Sequence, residues 1–387
     1  RNMHNNSACM LDLFDRYKYT NGNISWFGCT GAGKTFGIQT LAGRLRQQNK
    51  RVFIIAPSKG YEYRSFCESI GGEFVKWAPS SKDSFNPMDI RLRSLDADLE
   101  ARGLERDDSL LANHIPKLTA SFALLKKNLT DEDKNYLDAS LVDCYKRFGI
   151  TFDNASLFDD GGNYKPSPTF EDWYGVLGES PDTKHLSVPL LRFVTGSAAN
   201  MVKSSNVARD GKYYVFDVSD VPEELLEFVT FWATSFCTDM AQESILTEDV
   251  IIIDESWLLI GATSTPEIAG RVLELAKTIR GYNGILITAS QDLTDYLSLE
   301  DGRYGKGIIN ASRIKIIMQL EENEARLVGE ILNLSENEVT QITRARRGEA
   351  LLSIGNSRIS LAIHSSATEY DAITTAKADI LGRRERG

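Results

Sequence analysis

No stretch of this 387-residue chain is apolar enough, for long enough, to cross a membrane as a helix. Such a helix needs about 18 apolar residues in a row. The longest candidate, residues 225–237, is interrupted by Glu227 and Thr230. The first residues carry no secretory-leader pattern. They begin at Arg1 instead of Met, so a piece of a longer protein is expected, and the membrane statement covers that piece alone. An excess of basic residues is also missing. Lys and Arg number 44 against 54 Asp and Glu, a net charge of −10, which argues against a surface that coats nucleic acid but leaves room for a local basic channel. Proline is scarce, 10 residues against 29 glycines, so extended low-complexity structure is excluded. The four histidines and five cysteines form no CxxC pair or metal-ligand spacing. Cys9, Cys29, Cys67, Cys144 and Cys237 therefore read as reduced thiols in a reducing compartment. There is no internal repeat. The 42% hydrophobic and 25% charged content is that of an ordinary globular protein. The length suits two domains, or one large domain with an insertion.

What is present reads as alternation. Ile24–Phe27 is a short apolar strand that runs into a glycine-rich segment and then a helix over residues 35–48. Arg51–Ala56 is a β-branched run closed by Pro57. A helix over residues 63–70, closed by Gly71-Gly72, precedes another strand over residues 73–77. Strand–helix–strand alternation implies a parallel sheet with crossover helices. From about Ile90 the period changes. Leu110, Leu111, Ile115, Leu118, Phe122 and Leu125 recur at helical spacing, as do Tyr136, Leu137, Leu141 and Tyr145. Thr169 is placed to cap a helix starting at Phe170, with Glu171 and Asp172 in its first turn. Phe170, Trp173 and Tyr174 read as core of this helical stretch rather than as a base-stacking platform.

Strand signals return over residues 212–218, 250–254, 285–289 and 313–319. Helices are expected after Pro222 and over residues 266–279 and 321–332. Residues 349–354 and 358–363 read as a hairpin turning at Gly355-Asn356. The expected fold class is α/β, a mostly parallel central sheet flanked by helices, plus an all-α insertion. Residues 1–90 form the first part of the sheet domain, residues 91–206 the insertion, and residues 207–387 the second part with a C-terminal helix.

Gly28-Cys29-Thr30-Gly31-Ala32-Gly33-Lys34-Thr35 fits GxxxxGK[ST] in full, between a strand and a helix as that motif requires. The glycines let backbone N–H groups wrap a phosphate, and the helix N-terminus offers unpaired donors and a positive dipole end. Lys34 would reach the β- and γ-phosphates, and the Thr35 hydroxyl would ligate Mg²⁺. These residues form a P-loop for a nucleotide such as ATP. Hydrolysis needs more: a carboxylate near the Mg²⁺ and a group to activate water. Val250-Ile251-Ile252-Ile253-Asp254-Glu255 places both at the C-terminal end of a buried strand, where open α/β sheets bind ligands. Asp254 would contact Mg²⁺, and Glu255 would be the general base.

Gln291, just after the strand 285–289, fits a sensor of the γ-phosphate or water; the alternative is a helix-capping residue. Arg280 precedes Gly281-Tyr282-Asn283-Gly284 and has two readings, a finger that stabilises a neighbouring subunit's γ-phosphate or a surface residue completing a helix C-terminus. Arg313, Arg344, Arg346 and Arg347 are rivals for the finger, and residues 344–347 also read as a solvated basic face.

These residues together resemble the FtsK/HerA branch of RecA-like P-loop ATPases. The resemblance rests on residues 28–35, on Val250–Glu255, on Arg280 to Gln291 and on Asn310-Ala311-Ser312-Arg313. Within that branch the chain is similar to the TraC-like, VirB-type traffic ATPases of type IV secretion and conjugation. That likeness is carried by Asn21-Gly22-Asn23, Glu62-Tyr63, Gly71-Gly72, Phe85-Asn86-Pro87-Met88-Asp89 and Tyr214-Val215-Phe216-Asp217-Val218-Ser219. One departure is Ala56-Pro57, where the family has Asp-Pro. The resemblance implies a Mg²⁺-dependent ATPase motor powering substrate transfer or pilus assembly. A DNA translocase or coupling protein, and a nucleotide-gated assembly scaffold, are the alternatives. It also implies other channel subunits as partners and a homo-oligomer, hexameric when assembled or monomeric as a fragment. DNA contact, and membrane contact through a missing N-terminal part, belong to the same implication. The implied location is cytoplasmic, peripheral at the inner membrane.

Overall fold

The computed structural model describes residues 1–90, 108–243 and 246–374. The start of the expected insertion, 91–107, and the end of the chain, 375–387, lie outside the described residues. In chain order the strands, and the helices of about two turns or more, are β1 (Ile24–Phe27), α1 (Lys34–Gln47), β2 (Arg51–Ala56), α2 (Tyr61–Ser69), β3 (Glu73–Lys76), α3 (Leu110–Leu125), α4 (Asp131–Arg147), α5 (Phe170–Gly178), β4 (Tyr213–Asp217), α6 (Glu223–Gln242), β5 (Asp249–Ile253), α7 (Pro266–Thr278), β6 (Gly284–Ser290), α8 (Arg303–Ala311), β7 (Ile314–Ile317), α9 (Glu322–Leu332), α10 (Glu336–Arg344), β8 (Glu349–Ile354), β9 (Ser357–Ala362) and α11 (Ala367–Ile373). They fall into two compact units. One comprises Arg1–Phe74, Asp210–Asp217 and Ile245–Gly387; the other comprises Val75–Arg209 and Val218–Ser244.

The first unit is built on a mixed sheet of order β3-β4-β2-β5-β6-β1-β7-β8-β9. From β4 to β7 the pairings are parallel, and β8 and β9 add an antiparallel hairpin. Every residue of β4, β5 and β6 is buried, which is why these segments read as unbroken apolar runs instead of alternating ones. Ile251, Ile252 and Ile253 are fully buried, each side chain stabilising by about 1.5–3 kcal/mol. The mostly parallel α/β class read from the sequence is the class observed. The hairpin turns at Gly355, whose φ of 57° suits glycine.

Strand order decides the site. β5 is not beside β1; β6 lies between them. Three parallel strand ends therefore meet along one edge. Phe27 pairs with Ser290, and Thr288 with Ile253, so the residues that follow β1, β5 and β6 emerge together.

The second unit is helical. α4 and α5 each begin with a capping box, Thr130 with Asp133 and Thr169 with Asp172. The Trp173 indole donates to Ser140 Oγ at 2.9 Å, joining the two helices. Phe170 and Trp173 are buried, and Phe122, Phe193 and Phe228 pack against them edge-on or tilted. This unit includes β3's last residues and α6, which the sequence reading placed outside residues 91–206.

Candidate functional site

Residues 28–35 form the turn between β1 and α1. Gly31 and Gly33 adopt φ of 87° and 99°, a left-handed backbone that only glycine holds at low cost. α1 has no side-chain cap and no acidic residue in its first turn. Its N-terminal N–H groups are thus left for an anion, with the positive end of the helix dipole behind them. Gly28 N–H donates to Ser290 O and Cys29 N–H to Gln319 O, which fastens the turn to the neighbouring strand ends. Within α1, a Cβ at Gly37 would meet Trp26 of β1 at 2.6 Å, so close packing of helix on strand fixes where the turn points.

A cavity of about 450 Å³ opens at this turn, within the size range of small-molecule sites. Cys29, Thr30, Gly31, Gly33, Lys34 and Thr35 line it, together with Asp254, Glu255 and Gln291. Gly28 and Ala32 are buried behind it. The Lys34 ammonium, almost wholly buried, lies 2.9 Å from Glu255 Oε1 and 3.8 Å from Asp254 Oδ1. The Thr30 hydroxyl donates to Gln291 Oε1 at 2.8 Å. The structure thus brings together the loop, both carboxylates and Gln291.

Arg280 is placed elsewhere. It is exposed just ahead of Gly284, the first residue of β6, at the sheet edge opposite the one where Gln291 emerges. Arg313, ahead of β7, is at that same far edge with its guanidinium over the Gly355 turn. Arg344 ends α10, and Arg346 is exposed. Arg347 is different from the rest of its basic cluster, because it lines the cavity, with its Cγ 3.5 Å from where a Cβ on Gly33 would sit.

Several side chains around the carboxylates were not singled out as site residues from sequence. The Tyr63 hydroxyl donates to Asp254 Oδ2 at 2.6 Å. Burial and the facing Asp254 hold this phenol well above its ordinary range, so it stays a donor. The Trp257 indole donates to Glu255 Oε2 at 3.0 Å. Glu255 itself has φ 47°, a strained conformation for a side-chain-bearing residue of the kind that gathers at functional sites. Burial pushes its carboxyl up, Asp254 adds to that, and Lys34 opposes it. Glu62, half-buried on the cavity wall, is likewise pushed up by burial, with Lys59 opposing. The only local signal for these groups was Glu62-Tyr63, noted above as part of a resemblance. Beside Ala56, in register on β4, Asp217 supplies a buried carboxylate, and a Cβ on Gly60 would collide with it. Burial and the nearby Glu321 and Glu324 push the Cys29 thiol up, which keeps it protonated. None of the five cysteines forms a disulfide.

The residues fit a nucleotide with its cation. Among the described residues no cluster of three His, Cys, Asp or Glu side chains could hold a metal alone. Thr35 and Asp254 would supply only part of a Mg²⁺ shell, and Mg²⁺ ordinarily completes its shell with phosphate oxygens and water. No helix among the described residues is long and apolar enough to cross a membrane.

Residues 210–380 match the family described as the TraG P-loop domain. No curated protein matches the chain. Among solved structures, VirB4 of Thermoanaerobacter pseudethanolicus is 30% identical, over 93% of this chain and 94% of that one, with a TM-score of 0.78. The bacterial conjugative coupling protein TrwB, in an unbound form, is 10% identical over 88% and 85% of the two chains, with a TM-score of 0.54. TrwB in complex with ADP and Mg²⁺ is 12% identical over 89% and 86%, also at 0.54. At these identities the likeness to TrwB is one of fold.

Proposed function

The chain belongs to the VirB4 family of type IV secretion and conjugation ATPases, in the FtsK/HerA-like P-loop class, and on that footing we propose that it hydrolyses ATP with Mg²⁺ to energise substrate transfer or pilus assembly. The observation that carries this reading is the convergence on one cavity of Lys34, Asp254, Glu255 and Gln291 from three separate strand ends. A site that only bound nucleotide would have no need of a second, strained and buried carboxylate beside the phosphate lysine.

In this reading the N–H groups of residues 28–35 cradle the β-phosphate, and Lys34 turns from Glu255 to the β- and γ-oxygens. Mg²⁺, when bound by Thr35 and Asp254, neutralises charge on the phosphates. Glu255, freed from Lys34 and still held by Trp257, takes a proton from water. The water oxygen forms the new bond to the γ-phosphorus as the bond to the ADP oxygen breaks. Gln291, already tethered to the loop through Thr30, orients the water or senses the γ-phosphate. Tyr63 holds Asp254 in place.

Arg280 faces away from its own chain's loop, which supports an action on a neighbouring copy in a ring, six copies being the expected number. Other channel subunits are the proposed partners, and the proposed location is the cytoplasmic face of the inner membrane. The net charge of −10 favours a protein or pilin cargo over DNA. The test is ATP turnover per subunit against protein concentration, with and without DNA. Turnover that rises with concentration and ignores DNA is expected. DNA-stimulated turnover with steep salt dependence would instead make the chain a DNA translocase or coupling protein. Absent turnover in the assembled ring would make it a nucleotide-gated scaffold.

A further inference from the structure

We propose that Gln39 and Glu62 accept hydrogen bonds from the water molecules that complete the Mg²⁺ shell, and so set how strongly metal and nucleotide bind together. The proposal rests on the nucleotide-hydrolysing reading above and deepens it. Thr35 and Asp254 leave most of a Mg²⁺ shell to phosphate oxygens and water. Metal-bound water is a strong donor, and the outer groups that accept from a metal's ligands tune its affinity. The cavity wall beyond β2 provides two such acceptors. β2 pairs with β5 on the side opposite β6, so Glu62 and Gln291 flank Asp254 from two sides.

Gln39 is the first acceptor. Thr35, Gln39 and Gly43 recur every fourth residue and share one face of α1. Gln39 lines the cavity although only 1% of it is exposed. Its amide nitrogen donates to the Glu62 backbone carbonyl at 3.3 Å, which settles the two ends of the amide. The other end, Oε1, is buried with no hydrogen-bond partner. Among the described residues it is the one such side-chain atom that belongs to this cavity's wall. A buried amide oxygen ordinarily has a donor, and a metal-bound water is a donor that comes with the nucleotide.

Glu62 is the second. Its half-buried side chain lines the cavity, and among the described residues its carboxylate takes part in no hydrogen bond or ion pair. Burial raises its pKa, Lys59 opposes that, and Asp254 and Glu255 raise it further, so the charges it feels are those of the site. Packing fixes its position. A Cβ on Gly43 would meet the Phe66 ring of α2 at 2.7 Å, and Phe66 lies one turn beyond Glu62. The next residue, Tyr63, holds Asp254. α2 thus brings one side chain to the direct ligand and its neighbour to the cavity beside it. Among the described residues no three acidic, thiol or imidazole groups could hold a metal directly, so Glu62 acts through water.

The test is calorimetric titration of ADP, in excess Mg²⁺ and in EDTA, into the wild-type chain, Glu62→Gln and Gln39→Met. The ratio of the two affinities measures the coupling of metal to nucleotide. Removing an outer acceptor costs a metal site about 10–100-fold in affinity. Glu62→Gln is expected to bind ADP about tenfold more weakly in Mg²⁺. In EDTA it is expected to bind ADP at least as tightly as the wild type, because a carboxylate near bare phosphates only repels them. Gln39→Met, of similar volume but without the acceptor, is expected to lower the ratio in the same direction. An unchanged ratio in either folded variant overturns the proposal. So does an equal loss in both media, which marks a merely structural role. If Gln39→Met does not fold, the ratio in Glu62→Gln decides alone. Wild-type protein that binds ADP equally in both media overturns the shell and leaves a nucleotide site. Wild-type protein that binds ADP in neither overturns the nucleotide reading itself.

Discussion

Glu255 is held from both sides, by the Lys34 ammonium on one oxygen and the Trp257 indole on the other. Protonation of this carboxylate removes the base, so turnover falls as pH drops through its pKa. Because burial raises that pKa, the fall begins at a higher pH than the ordinary glutamate value of 4.5 implies. Trp257→Phe deletes a donor that favours the ionised form. It is expected to move the acid limb of kcat to higher pH and lower kcat, with little change in ADP affinity; an unmoved limb would show that the indole does not position the base. Gly33→Ala forces a Cβ into φ 99°, at a cost of about 1–2 kcal/mol, and should abolish nucleotide binding by shifting the loop. Calorimetry on the folded variant checks this. Residues in one contiguous motif, such as 28–35 and 254–255, could be read directly because their chemistry and spacing are local. Tyr63 could not be paired with Asp254 that way, since 191 positions separate them and only the β2–β5 pairing brings them together.

At the level of single elements, stop and start signals worked where they were strong. Thr169 does cap α5, and Thr169→Ala should lower stability by roughly 1 kcal/mol, read as a drop in Tm with unchanged nucleotide binding. The buried strands were legible from length and β-branched composition. The sequence reading assigned no helix to residues 303–311 and 336–344, where α8 and α10 lie. Both are short. α8 carries two glycines, and it is held by burying Tyr304, Ile308 and Ile309. α10 buries little besides Ile342 and depends on its Ser335–Glu338 capping box. Tertiary packing and a cap, neither evident from periodicity, decide such helices. Sheet order was equally hidden: nothing local says that β6 separates β1 from β5, yet that order is what delivers Gln291 to the loop.

For the whole molecule, the account requires a neighbour. Arg280 lies at the sheet edge away from its own cavity, so Arg280→Ala should lose most activity while keeping nucleotide affinity. Mixed with Glu255→Gln subunits, which retain the arginine, it should partly recover; no recovery at any concentration would remove the trans role. The basic cluster at residues 344–347 looked uniform in sequence, but folding puts Arg347 alone of its three arginines on the cavity wall. The hairpin's return to the loop, through Gly348 N–H to Ala32 O, is the long-range contact responsible. The most direct test of hydrolysis at this site is phosphate release from Mg·ATP by the wild-type chain and by Glu255→Gln, with ATP binding measured on the same samples. The account predicts equal binding, steady release from the wild type and none from the variant. Wild-type release rates in Glu255→Gln would contradict it.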